Sequence, residues 1–365
     1  MSLPETRRVL SIQSHVVSGY VGNRAATFPL QVLGWDVDPV NTVQYSNHAG
    51  YGQFGGPKTD PAQLTAIFKA MEDNGLMRPS RVLTGYIPGS EALKVVAELV
   101  KQLRTLAPSL PYILDPVMGD EGKLYVDADV VPIYRDLLLP LATVITPNWF
   151  EVELLTEIKL DSLPSLRSAL RKLHREFGVR SVIISSIPPG TLELPPSIGI
   201  RSHPNNDLYT PDSLLCLASF DDGTSSGPTI SRVHTMRVPK IAGYFSGVGD
   251  LFSALVCAFF EDELSTQMGG DNGITASSQT PVSLATARAV NVTHAVLLDT
   301  ERHYLSLPEA DRPDTDTEKD KADSSRRPRR MRARELRIIQ AIDVIRTGST
   351  ALLGDLAEWT DFWTS

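Results

Sequence analysis

Gly247-Val248-Gly249-Asp250-Leu251-Phe252 is the stretch from which this chain is best read. Two glycines frame one residue, an aspartate follows, and an apolar run continues to Phe260. Leu251, Ala254, Leu255 and Ala258 recur at helical spacing, which predicts a helix. The glycines allow a tight turn and leave amide N–H groups free at the helix N-terminus. Unpaired N–H groups and the helix dipole together attract anions. Asp250 stands at the rim of that pocket. A carboxylate there has a use if it removes a proton from a hydroxyl that attacks a bound phosphate. The same six residues also suit a loop glycine pair with an N-cap aspartate.

Upstream, strands alternate with helices. Val9 to Ile12 is a short strand, and Ala25 to Leu33 an amphipathic helix stopped by Gly34. Val37 to Tyr45 reads as extended, Pro61 to Met71 as helix, Arg81 to Tyr86 as strand and Glu91 to Leu106 as helix. Tyr112 to Asp115 is a buried strand ended by Pro116. A helix at Asp129 to Leu138 leads to the strand Thr143 to Thr146, helices follow at Asn148 to Leu155 and Pro164 to Phe177, and Ser181 to Ser185 is a strand. This rhythm implies an α/β fold with a largely parallel sheet covered by helices. Ligands of such sheets gather at strand carboxyl ends, where Asp115, Thr146 and Ser185 fall.

The second half changes character. Ser197 to Arg201, Leu214 to Ser219 and Thr229 to Arg237 read as short antiparallel strands between turn-rich stretches. A second helix is predicted from Ser283 to Leu298, after a Gly/Ser/Thr-rich loop at Gly269 to Pro281. Residues 307–334 are nearly free of apolar side chains, with an acidic half before a basic one, and are expected to be disordered. A last helix, Glu335 to Arg346, is expected to return to the body through Leu336, Ile339, Ile342 and Val344. The organisation is thus a domain over 1–306, a charged insertion over 307–334 and a returning helix and tail over 335–365.

Composition narrows the function. The 365 residues are 42% hydrophobic and 21% charged, ordinary for a large-cored globular chain. A formal charge of −8 argues against a nucleic-acid partner. No apolar run reaches about 18 residues and no secretory leader is read, so neither a membrane partner nor export is expected. Two cysteines, Cys216 and Cys257, support neither a disulfide framework nor a cysteine zinc site. A cytoplasmic enzyme is the expectation.

Other constellations carry chemistry. Asp115 and Asp120 put two carboxylates across a sharp turn, suited to Mg²⁺ held beside phosphates or equally to a solvated acidic turn. Asn148 and Glu151 share the first turn of a helix, where they would orient metal-bound waters or form a capping box. Ser185-Ser186 suits phosphate or a monovalent cation only weakly. Two polar glycine-containing loops, Ser11 to Asn23 and Ser46 to Gly52, suit a small polar ligand. His48 alone reads as structural or surface rather than catalytic. The Walker pattern of P-loop kinases is absent.

Arg8 to Val16, running on through Gly19 to Gly34, resembles the opening of eukaryotic-type pyridoxal kinases almost continuously. Ser46-Asn47-His48, Leu83 to Tyr86, Asp115 to Asp120, Tyr125-Val126, Ile145 to Glu151, Ser185-Ser186 and Gly247 to Phe252 follow in that family's order. The resemblance covers about residues 7 to 304. It implies a ribokinase-like three-layer α/β/α sandwich, a homodimer, and ATP-dependent phosphorylation of the 5′-hydroxyl of pyridoxal, pyridoxine and pyridoxamine. It further implies that Ser14 hydrogen-bonds the pyridine ring, with Val21, His48, Ala49 and Tyr86 lining the vitamer pocket. Asp115, Thr146 and Ser185 match positions around a monovalent cation such as K⁺ and the nucleotide phosphates. Asp120 and Glu151 match Mg²⁺-associated positions, acting partly through water. Tyr125 matches the flap over ATP, and Asn148, Ser186, Ile241 and Gly243 the nucleotide site. Gly247, Val248 and Gly249 frame the anion hole, and Asp250 matches the general base.

Two residues depart from the family pattern. Ala49 and Val248 stand where threonine is usual, so the hydroxyl next to a transferring phosphate is missing at 248. A ribokinase-like kinase of another alcohol, such as hydroxymethylpyrimidine, and a vitamer carrier without catalysis remain alternative readings. The insertions around 190–211, 269–281 and 308–330 have no assigned role.

Overall fold

A computed structural model describes residues 7–192, 194, 198–199, 213–223, 229–261 and 279–364. In its sheet, successive strand residues enter two different apolar layers. Leu10 and Ile12 lie in one, Val9 in the other; Val82 and Leu83, Ile113 and Leu114, Val144 and Ile145, and Val182 and Ile183 divide the same way. A strand points alternate side chains to opposite faces. Apolar residues on both faces therefore require helices on both.

Those helices come between the strands. β1 (Arg8–Val16), α1 (Asn23–Val32) and β2 (Asp36–Tyr45) open the chain, followed by α2 (Pro61–Asp73), β3 (Arg81–Thr84), α3 (Ser90–Leu106) and β4 (Tyr112–Leu114). A hairpin of β5 (Gly119–Asp120) and β6 (Lys123–Leu124) precedes α4 (Val130–Ile133) and β7 (Val144–Ile145). Then come α5 (Trp149–Thr156), α6 (Leu163–Arg171), β8 (Ser181–Ile187), β9 (Leu214–Phe220) and β10 (Arg232–Val238). The C-terminal part holds α7 (Val248–Phe259), α8 (Pro281–Ser306), α9 (Thr317–Ala322), α10 (Arg326–Ala333), α11 (Ile342–Thr347) and β11 (Ala357–Glu358).

Among the described residues nine strands form one sheet in the order β11-β10-β9-β8-β7-β4-β3-β1-β2. The six from β2 to β8 are parallel, and β9, β10 and β11 extend it antiparallel. The α/β expectation is met, with a mostly parallel sheet between helical layers. α7 and α8 are buried in the layer that holds Val9 and Ile113. The parallel strands all end at one edge, which carries Asp115 and Thr146 just beyond β4 and β7 and Ser185 two residues before the end of β8. The strand expected at Ser197 to Arg201, and most of the insertions at 190–211 and 269–281, lie outside the described residues.

Two expectations are corrected. Residues 307–334 are not without structure. Asp316 caps α9, accepting from the Glu318 and Lys319 amides. Arg326 and Arg330 pair with Asp320, and Arg326 also with Asp314. The acidic and basic halves, read as two solvated runs, neutralise each other, and Met331 is buried beside them. The helix expected at Glu335 to Arg346 begins only at Ile342. Leu336 and Ile338 are buried two residues apart while Ile339 is 42% exposed, the spacing of a non-helical approach. The chain still returns to the body: Leu336 and Ile338 join the α7–α8 layer, and β11 pairs with β10.

Candidate active site

Gly247 adopts φ 81°, a left-handed conformation that glycine takes without strain, and α7 starts at the next residue. A Cβ on Gly247 would overlap the Tyr20 carbonyl oxygen, so the turn is pressed against the loop between β1 and α1. That loop supplies the Gly22 amide as a donor to the Asp250 carboxylate. Asp250 thus sits in the first turn of α7, where unpaired amides and the helix dipole concentrate positive potential.

Asp115 lies beneath it. Its carboxylate is buried, and burial and then the charge of Asp250 push its pKa up. Among the described residues Asp115 Oδ2 and Thr146 Oγ1 are both buried and complete no hydrogen bond, though the Ser253 and Thr146 hydroxyls lie close enough to Asp115 to offset part of its upward pKa shift. Orphaned buried oxygens are rare, because each forfeits its hydration. A cation of hard character is the group that two such oxygens suit. A Cβ on Gly249 would lie 3.9 Å from Asp115 Oδ2, so this glycine keeps the space over the carboxylate open.

Glu151 is buried and accepts from the Met118 amide at 2.9 Å, the Gly119 amide at 3.4 Å and the Asn148 amide at 3.0 Å. Burial and then the charge of Asp115 raise its pKa. Asn148 caps α5 by accepting from the Glu151 amide at 3.0 Å, and its Nδ2 donates to the Gly119 carbonyl at 2.8 Å. The capping box and the anchoring of the 115–120 turn are therefore one device: α5 fixes the turn that carries Asp115.

Several expected residues lie at the border of this centre. Ser14 sits at an irregularity in β1 and abuts Gly22. Val21 adjoins Gly247. Ser185 and Ser186 occupy an irregularity in β8, and the Ser185 amide donates to the Pro147 carbonyl, next to Thr146, at 3.0 Å. Such irregularities re-aim side chains at strand ends. His48 is buried; its Nδ1 accepts from the Gly50 amide at 3.2 Å and lies 3.1 Å from Ser246 Oγ, beside the glycine turn. Half-buried Val248 leans on the α7–α8 layer. Tyr125 follows the β5–β6 hairpin and is 56% exposed. Gly243 and Ile241 lie on the approach to α7, where Arg334 donates to the Ala242 carbonyl at 3.0 Å.

Other expected residues are not joined to the centre. Asp120 is exposed and its carboxylate accepts from the Glu121 amide at 2.8 Å. Among the described residues no group of three or more His, Cys, Asp or Glu side chains surrounds a metal-sized space. Tyr86 is half-buried near Tyr45 and Asp127, and Ala49 is exposed. Three participants were missed by sequence: Gly22, Ser253, whose hydroxyl donates to the Asp250 carbonyl at 3.3 Å, and Glu335. Ser246 adjoins the glycine turn, which makes it a sequence candidate for a donor beside Val248, and its Oγ lies 3.1 Å from His48 Nδ1. Glu335 lay hundreds of residues away, with no local signal.

The family model described as phosphomethylpyrimidine kinase matches residues 47–190. A pyridoxal kinase of Arabidopsis thaliana is 42% identical over 257 residues, covering 70% of this chain and 75% of that protein. A pyridoxal kinase of Sus scrofa is 41% identical over 259 residues, covering 69% and 74%. Among solved structures, pyridoxal kinase from Leishmania donovani in complex with ADP and pyridoxamine superposes with a TM-score of 0.71 at 30% identity, covering 96% of this chain and 98% of that one. Together with the ribokinase-like layering and the glycine–aspartate turn, these likenesses place the chain in the pyridoxal kinase family.

Proposed function

We propose that this kinase transfers the γ-phosphoryl group of ATP to the 5′-hydroxyl of pyridoxal, pyridoxine and pyridoxamine, with Asp250 as general base. The observation that carries the reading is the placement of Asp250. It is held by the Gly22 amide, on the glycine turn that opens α7, above a buried carboxylate with an unpartnered oxygen. Burial pushes the Asp250 pKa up, which suits a group that must accept a proton. As the hydroxyl oxygen attacks phosphorus, Asp250 takes its proton, and the amides at the α7 N-terminus spread the charge that develops on the phosphoryl oxygens.

Cations fit the same centre. Asp115 and Thr146, with Ser185 beside them, offer oxygen donors that suit K⁺. Glu151, and exposed Asp120 from the β5–β6 hairpin at the border of the centre, are the carboxylates we assign to Mg²⁺, acting partly through water. A divalent ion there supplies charge neutralisation on the phosphates. Ser14, Val21, His48 and Tyr86 then form the vitamer side and Tyr125, Asn148, Ser186, Ile241 and Gly243 the nucleotide side. We read the protein as a homodimer, as its family resemblance implies, and as cytoplasmic on its composition. Among the described residues no helix is long and apolar enough to cross a membrane.

The test is coupled ADP release in Mg-ATP and K⁺ with pyridoxal and with hydroxymethylpyrimidine offered separately. Turnover of pyridoxal at a kcat/KM at least about tenfold higher supports the reading. Preference for hydroxymethylpyrimidine moves the enzyme to another alcohol, and binding of pyridoxal without turnover makes it a carrier.

A further inference from the structure

The charged segment after α8 does not end in solvent. It runs through α10 and delivers Glu335 into the loops that border Asp250. Glu335 Oε1 is 3.1 Å from His48 Nε2 and accepts from the Tyr51 hydroxyl at 2.9 Å, while Oε2 accepts from the Tyr20 amide at 3.1 Å. Gly19 makes the room: a Cβ there would press on the Glu335 carboxylate. The same segment grips the vitamer loop a second time, because Arg327 Nε donates to the Gly50 carbonyl at 2.7 Å.

The His48 ring reports what this achieves. Its Nδ1 accepts from the Gly50 amide and so carries no proton. The single proton of the neutral ring is on Nε2, where it donates to Glu335. With Nδ1 held as an acceptor, the Ser246 hydroxyl donates to it, one residue before Gly247. Glu335 and the Gly50 amide thus together hold one tautomer of His48, and Glu335 ties together three loops: 19–22, which supplies the amide to Asp250; 48–51; and 246–247, which opens the anion hole.

We infer that Glu335 is a positioning residue for the vitamer side of the site, acting through His48 and Tyr51 rather than on the reacting atoms. The inference rests on the kinase reading for its substrate and on the ring geometry for its mechanism. Glu335→Ala leaves His48 Nε2–H and the Tyr51 hydroxyl without their acceptor. Because hydrogen bonds to a carboxylate are among the stronger ones, KM for pyridoxal should rise roughly tenfold or more. KM for ATP should stay within about twofold, a split that loss of folding would not give. Glu335→Gln keeps an acceptor for His48 but sets an amide N–H₂ or a lost bond against Tyr20, so it should rescue about half of the effect on a logarithmic scale.

The independent readout is the ¹⁵N spectrum of the His48 ring, assigned with His48→Gln. The wild type should show the Nε2–H tautomer alone, and Glu335→Ala a mixture with Nδ1–H. An Nδ1–H ring in the wild type, an unchanged pyridoxal KM in Glu335→Ala, or equal rises in both KM values overturns the proposal. If Glu335→Ala fails to fold, the wild-type spectrum and the Glu335→Gln kinetics still decide it. A wild type that holds the expected tautomer but does not phosphorylate pyridoxal would sink the kinase reading while leaving the positioning of His48 standing.

Discussion

Alanine at each of the two anion-hole glycines should separate folding from chemistry. At Gly247 the backbone has φ 81°, and a Cβ would overlap the carbonyl oxygen of Tyr20, which is backbone and cannot swing away. The left-handed conformation costs a side-chain-bearing residue about 1–2 kcal/mol. Forcing an extra carbon into a packed contact costs about 1–3 kcal/mol more. Gly247→Ala should therefore lose about 2–5 kcal/mol, which at a urea m-value near 3 kcal/mol/M moves the unfolding midpoint down by about 0.7–1.7 M. Gly249 has no positive φ, and a Cβ there meets only Asp115 Oδ2 at 3.9 Å. Gly249→Ala should keep its stability within about 1 kcal/mol of wild type, since alanine is the better helix former. Its methyl enters the space over Asp115 and should lower turnover by about tenfold or more through misplacement of the phosphate. Urea unfolding followed by tryptophan fluorescence, with ADP release on the same samples, measures both. Equal midpoints for the two variants, or a destabilised Gly249→Ala with full activity, would refute the reasoning.

Val248→Thr should raise turnover or tighten ATP binding by roughly tenfold, because a hydroxyl adds one hydrogen bond to a charged oxygen. The hydroxyl of Ser246, two residues before Val248, is engaged by His48 Nδ1 at 3.1 Å. Steady-state kinetics at matched Mg²⁺ and K⁺ check this, and a neutral or slower variant shows that the missing hydroxyl is not limiting. Stability should also depend on pH through His294, which is buried in α8 and whose pKa burial pushes down to about 4 from 6.5. The folded state binds this proton less readily than the unfolded one. Stability is therefore intact above about pH 6.5 and lost as pH falls toward 4, by up to about 3 kcal/mol. Urea midpoints measured from pH 7.5 to 4.5 should fall with pH and should fall less in His294→Gln; parallel slopes would exclude this histidine as a source.

What the sequence made legible was what local chemistry dictates. The short apolar strands, the glycine turn and the Asn148–Glu151 spacing each have a short-range physical cause, and each appears in the structure at or near its expected place. Local reading stopped where partners are far apart in the chain. The run from Glu309 to Arg334 looked unable to order itself because its compensating charges were counted as two blocks rather than as pairs across a turn. Glu335 looked like the first residue of a helix, yet it is spent on His48 and Tyr51. His48 read as structural or surface, and its ring is indeed buried in a hydrogen-bonded position, but one that joins the vitamer loop to the anion hole. Residues such as Asp115 and Thr146 could be placed at one sheet edge from sequence; that their oxygens would lack partners required coordinates.

The central claim is that Asp250, set above the buried Asp115 at the mouth of α7, removes the proton from the attacking hydroxyl. The most direct measurement compares kcat for pyridoxal phosphorylation in wild type and Asp250→Asn, with ATP affinity measured on the same proteins. Loss of the base should lower kcat by about 10²–10⁴-fold and leave the ATP dissociation constant nearly unchanged. A variant that turns over within about threefold of wild type would contradict the claim and move the proton-accepting role elsewhere in the site.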